Sequence, residues 1–142
     1  MEEGIIMKIL FICKHNRFRS KVGEAIFNTL NKNKNIVAES AGILIDEMHL
    51  YVGENVIKIM KEKGYDVRGI PRRVDVRKIN DYDYLIIVAD NVDPMFFKNS
   101  YKGKIIWWKI KDCDEKDLNS IRERVEDIEK RVRELIKEMK NG

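Results

Sequence analysis

Apolar residues along this chain follow two rhythms, short unbroken runs and positions three or four apart, and their alternation predicts strands separated by helices. The runs at 7–12, 36–38, 84–89 and 104–108 read as buried strands. After the first, Val22, Ala25, Ile26, Thr29 and Leu30 recur at helical spacing. Val52, Val56, Ile59 and Met60 do the same in a helix expected over 52–63, with Gly64 as its stop. The last helix is expected from about 115 to about 140, carrying the stripe Leu118, Ile121, Val125, Ile128, Val132, Leu135 and Met139. The polar stretch that ends at Asp83 keeps neither rhythm and receives no element. Strands alternating with helices define an α/β class, here a single doubly wound domain over 1–142. It has a four-stranded parallel sheet, helices on both faces and a long C-terminal helix. The terminal stripe suits a helix laid along a sheet without a second chain, so a monomer is expected over a coiled-coil dimer.

Composition narrows the functional classes. A chain of 142 residues without a Pro/Ser-rich linker or repeat suits one core. The start, Met1-Glu2-Glu3-Gly4, is acidic where a secretory signal is basic, and no apolar run approaches the roughly 20 residues of a membrane span. A cytoplasmic protein with no membrane partner is expected. Cys13 and Cys113 lie far apart, which is neither a disulfide framework nor a metal-ligand spacing, so no metal site is expected. The net charge of +4 is spread along the chain. Its densest basic stretch, with Arg68, Arg72, Arg73, Arg77 and Lys78, is interrupted by Asp75 and holds no stacking aromatics. That is a solvated loop face, and no nucleic-acid partner is expected.

The chemistry concentrates in Cys13-Lys14-His15-Asn16-Arg17-Phe18-Arg19-Ser20, between the first strand and the first helix. A tight turn there aims successive backbone N–H groups and the positive end of a helix dipole at one point, which suits a phosphate or arsenate dianion. The same field favours a thiolate, which lowers a cysteine from about 8.5 into the range of about 3.5–7.5. Cys13 is therefore the expected nucleophile. Cys13, Ser40, Asp90 and Asp112 each follow a different expected strand and so are expected at one rim of the sheet.

A cysteine followed six residues later by Arg19-Ser20, with Glu24-Ala25 beyond, Ser40-Ala41-Gly42 after strand two and Asp83-Tyr84-Leu85-Ile86 at strand three, resembles the low-molecular-weight protein tyrosine phosphatase family. That family shares its fold with thioredoxin-coupled arsenate reductases. The resemblance implies a metal-independent phosphomonoester hydrolase without a cofactor, acting through a cysteinyl-phosphate on Cys13. It implies that Arg19 clamps the phosphoryl oxygens, that backbone groups of Lys14, His15, Asn16, Arg17, Phe18 and Arg19 hold the rest, and that Ser20 donates to the sulfur. Asn16 would take a left-handed conformation, and Ser40 would support the loop from below. In the family the general acid follows strand four, which points to Asp112, with Asp114 second and the literal Asp93-Pro94 third. The implied substrates are a phosphorylated protein or a small aryl phosphate, with inorganic phosphate or arsenate as anion ligands.

The departures carry weight too. Cys113 stands where the family has proline, His15 where it has glycine, and Phe18 where it has a second loop cysteine. Asp114 and Glu115 replace the tyrosines that follow the acid in many eukaryotic members. Tyr51 and His49 are candidates for part of the substrate wall. Two alternatives stay open: an arsenate reductase using the same loop, with Cys113 as the one thiol able to resolve a cysteine–arsenic intermediate, and a phosphate-binding module without turnover.

Overall fold

The computed structural model describes residues 7–141, so the acidic start at 1–4 lies outside the described residues. The chain runs β1 (Met7–Cys13), α1 (Arg19–Leu30), β2 (Ile36–Gly42), α2 (Glu54–Glu62), β3 (Tyr84–Val88), β4 (Lys104–Trp108) and α3 (Leu118–Asn141). Two 3-10 helices, Val76–Asp81 and Pro94–Phe97, flank β3. All strand pairs are parallel, in the order β2-β1-β3-β4. The chain leaves β1 toward β2 on one side and returns to β3 on the other. The C-terminal end of β1 is thus the switch point where open α/β sheets bind ligands, and Cys13 is its last residue.

Helices cover both faces, unequally. On one face Ile9 and Phe11 pack with Val22 and Ile26 of α1, Ile59 of α2 and the α3 stripe Ile121, Val125, Ile128, Val132 and Leu135. Each such side chain, once fully buried, contributes about 1.5–3 kcal/mol. The α3 stripe is therefore consumed within the chain's own core. On the other face Leu10, Ile12, Leu85 and Ile87 meet Ile79 and Phe97 from the two 3-10 helices. Among the described residues no helix is long and apolar enough to cross a membrane.

Several boundaries differ from expectation for identifiable reasons. The strand expected over 36–38 runs on to Gly42, because Glu39 and Ser40 pair with Leu10 and Phe11 although they break the apolar run. The third strand ends at Val88, one residue early. The helix expected from 52 begins at Glu54, after Gly53, and stops before Gly64, whose φ of +92° only glycine adopts freely. The last helix begins at Leu118 rather than near 115, because Asp117 accepts from the Ser120 N–H at 3.1 Å and so caps it. The unassigned polar stretch holds the first 3-10 helix, opened by Asp75, which accepts from the Arg77 N–H at 3.0 Å.

Candidate active site

Cys13 ends β1 with 2% of its surface exposed, and the turn at 14–18 then leads into α1. Asn16 bends that turn through a left-handed conformation with φ +57°, which asparagine tolerates better than most residues. Its side chain is fully buried and fully used. Oδ1 accepts from the Arg72 backbone N–H at 2.9 Å, while Nδ2 donates to Ser20 Oγ at 2.7 Å and Ser40 Oγ at 3.0 Å. A backbone N–H can only donate, so it settles the orientation of the amide. Both serine oxygens then accept from Asn16, which frees their protons. Ser20 lies 2.9 Å from Cys13 Sγ and can donate to it. Ser40 donates to Glu24 Oε1 at 2.5 Å.

The support extends below the turn. Glu24 lies 3.9 Å from the Lys21 ammonium, which is 4% exposed and which burial holds below its usual pKa. Gly42, at the end of β2, lets the turn pack directly on the sheet. A Cβ there would stand 2.8 Å from the Asn16 nitrogen, closer than real contacts allow.

Arg19 is the second buried charge, also 2% exposed. Its Nη1 donates to the Ile110 carbonyl at 2.9 Å and its Nη2 to Asn91 Oδ1 at 3.1 Å. Asp90 Oδ1 lies 3.6 Å from Nη1 and Asp112 Oδ2 lies 3.9 Å from Nη2. Residues after β3 and after β4 thereby converge on the guanidinium and hold its plane. Cys13, His15, Arg17, Arg19, Asp112 and Cys113 line one cleft, with Phe18, Val56 and Ile121 as its apolar part.

Of the expected rim residues, Cys13, Asp90 and Asp112 do sit at strand ends. Ser40 does not: it lies inside β2, paired with Phe11, and reaches the turn from beneath. Of the three aspartates considered as acid, Asp112 borders the cleft. Asp114 instead accepts from the Lys116 N–H at 2.9 Å, and Asp93 from the Met95 N–H at 2.9 Å, where it caps the second 3-10 helix. Lys14 contributes a carbonyl that accepts from the Leu44 N–H at 3.0 Å, and its side chain is not among those lining the cleft. Tyr51 and His49 line a neighbouring groove rather than the cleft itself, and His49 Nδ1 is 2.9 Å from Asp46 Oδ2. Cys113 is half-buried, and burial pushes its thiol up. Sequence reasoning missed the hold of Asn91 on Arg19 and of the Arg72 backbone on Asn16. Asn91 follows a strand end and was within reach of that rule; an unassigned loop supplying a backbone N–H leaves no sequence signal. Among the described residues no group of three or more His, Cys, Asp or Glu is placed to hold a metal ion.

A buried thiol at the end of β1 and a locked arginine lining the same cleft, at the switch point of a parallel sheet, form an arrangement that suits a tetrahedral oxyanion beside a cysteine. The sequence signature of the low molecular weight phosphotyrosine protein phosphatases matches residues 8–142, and the chain belongs to that family. It is 30% identical over 123 residues, 80% of this chain and 79% of the other, to a low molecular weight protein-tyrosine-phosphatase of Bacillus subtilis. The solved arsenate reductase of Archaeoglobus fulgidus is similar with a TM-score of 0.74 and 30% identity, over 90% of this chain and 98% of that one. A low molecular weight protein tyrosine phosphatase from T. tengcongensis shares the fold with a TM-score of 0.82 at 21% identity, over 94% of this chain and 99% of that one. Relatives thus include both phosphatases and arsenate reductases.

Proposed function

We propose that this chain is a cysteine-dependent phosphomonoester hydrolase, a protein tyrosine phosphatase in type, whose substrates are phosphorylated proteins or small aryl phosphates. The observation that carries the reading is the convergence on one cleft of the Cys13 sulfur, the locked Arg19 guanidinium and the Asp112 carboxylate. In the first step the Cys13 thiolate attacks phosphorus, the ester P–O bond breaks, and Asp112 gives its proton to the departing oxygen. Arg19 and the N–H groups of the 14–19 turn hold the equatorial oxygens as charge shifts onto them. In the second step water attacks phosphorus, Asp112 takes the water's proton, and the S–P bond breaks. Ser20 donates to the sulfur as it leaves. Asn16 and Ser40 keep that donor in place, and Phe18 with Val56 offers an apolar side to the leaving group.

The test is hydrolysis of 4-nitrophenyl phosphate in the presence of EDTA. Wild type turns over, Cys13→Ser and Arg19→Ala do not, and Asp112→Asn falls by about a hundredfold, near the low end of what a general acid supplies. Asp93→Asn behaves as wild type. A folded protein that binds phosphate without hydrolysing any ester would overturn the reading and favour a phosphate-binding module.

Cys113 favours a second reading, because it lines the same cleft as Cys13. With arsenate bound in the turn, the Cys13 thiolate would attack arsenic and displace one oxygen as water; Cys113 would then attack Cys13 Sγ, the S–As bond would break with its electron pair leaving on arsenite, and a disulfide would form for an external dithiol to reduce. Dithiol consumption that requires arsenate and disappears in Cys113→Ser would select this reading over ester hydrolysis.

A further inference from the structure

The segment that carries Asp112 is fastened at both ends, and one fastening reaches onto the anion-binding turn itself. At its start, Arg124 of α3 donates from Nε to the Lys111 carbonyl at 2.9 Å. At its far end, Glu115 Oε2 lies 3.3 Å from Arg17 Nη1, and the Glu115 carbonyl accepts from Asn55 Nδ2 at 2.9 Å. Arg17 belongs to the 14–18 turn, and its guanidinium also donates from Nε to the Tyr51 carbonyl at 2.8 Å. Between these fastenings the Asp112 side chain is 58% exposed. Among the described residues its carboxylate accepts one hydrogen bond, from the next residue's N–H at 2.9 Å, and stands 3.9 Å from Arg19. Arg19 and Arg124, whose Nη2 lies 3.5 Å from the Asp112 carbonyl, bound the segment from the inner side, and the Glu115 fastening sets its outer end.

We propose that the Arg17–Glu115 ion pair is a positioning device for the general acid, holding the Asp112 segment over the cleft and tying it to the turn that grips the phosphoryl group. The proposal rests on the reading of Asp112 as the acid. Arg17 and Glu115 side chains are 19% and 52% exposed, and a pair so open to water biases a segment rather than locking it. The expected effect of breaking it is therefore about fivefold. The loss falls on proton transfer to the leaving oxygen, and so on substrates whose leaving group most needs a proton.

The experiment compares kcat/KM for 4-nitrophenyl phosphate, a good leaving group, with that for phenyl phosphate, a poor one, together with the Ki of inorganic phosphate. For Glu115→Gln the proposal expects about a fivefold loss on phenyl phosphate, under about a twofold loss on 4-nitrophenyl phosphate, and an unchanged phosphate Ki. Adding Arg17→Gln to Glu115→Gln costs no more than the worse single variant, and adding Glu115→Gln to Asp112→Asn costs nothing further. Equal losses on both substrates, or a further loss in the Asp112→Asn background, would overturn the proposal and leave Asp112 as the acid. If Asp112→Asn itself shows no dependence on the leaving group, the acid assignment falls, and the proposal with it.

Discussion

The turn at 14–18 and the segment at 111–117 meet over one cleft, but they are held in different ways. In the turn and the first residues of α1, Asn16 and Ser20 are fully buried, and each polar atom of the Asn16 amide has a partner drawn from α1, β2 or the loop at Arg72. Across the cleft, Asp112 and Asp114 are exposed, and their carboxylates accept N–H groups within two residues of themselves. The first is an interior network, in which each unmet partner costs about 1–3 kcal/mol, whereas the second is a solvated strap fastened at its ends. On the proposed reading the anion-binding turn is thus built in advance, and the placement of the acid is left adjustable.

The largest expected effect lies at Cys13. Cys13→Ser is expected to abolish turnover, while phosphate binding measured by calorimetry persists because the turn's N–H groups and Arg19 remain. Next, Asn16→Ala removes three hydrogen bonds and places alanine at φ +57°. It is expected to lower stability in urea unfolding by about 2–4 kcal/mol, and phosphate affinity falls with it. Gly42→Ala should follow with a loss of about 1–3 kcal/mol, since its Cβ would push the Asn16 backbone off the sheet. No substitution confined to the strap should move the unfolding midpoint as far. Asp114→Asn tests that side: it is expected to change stability by under about 0.5 kcal/mol, as an exposed turn residue, and to leave turnover of 4-nitrophenyl phosphate intact.

A smaller effect sharpens the comparison through the other cysteine. Burial raises the Cys113 thiol above its ordinary value. In Cys13→Ser, iodoacetamide should therefore label Cys113 slowly at neutral pH, with the rate climbing only as the pH passes that value. Fast labelling at pH 7 would show the strap to be more open than its half-buried thiol implies.

The same division governed what could be read from sequence. The strand–helix alternation placed all four strands and the three long helices, because apolar runs and helical stripes are dictated by burial on a sheet. Cys13, Arg19 and Ser20 flank one short turn, and local spacing was enough to put them together. Ser40 was misplaced at a strand end because Glu39 and Ser40 hid the last residues of β2, whose pairing with β1 depends on register rather than on apolarity. The partners of Arg19 were harder still, since the Ile110 carbonyl and Asn91 come from chain far away in sequence, and a backbone carbonyl has no residue type. The Arg17–Glu115 contact joins residues nearly a hundred positions apart on an exposed surface, where neither periodicity nor motif spacing carries information.

On the proposed reading Cys13 carries the phosphoryl group between two displacements. Wild type mixed with 4-nitrophenyl phosphate, quenched in acid within milliseconds and mapped by mass spectrometry, tests it directly. The account predicts the added mass of one phosphoryl group on the peptide containing Cys13, appearing before steady-state turnover and absent in Cys13→Ser. Steady hydrolysis with no phosphoryl group on Cys13 at any quench time, or with the group on another residue, would contradict it.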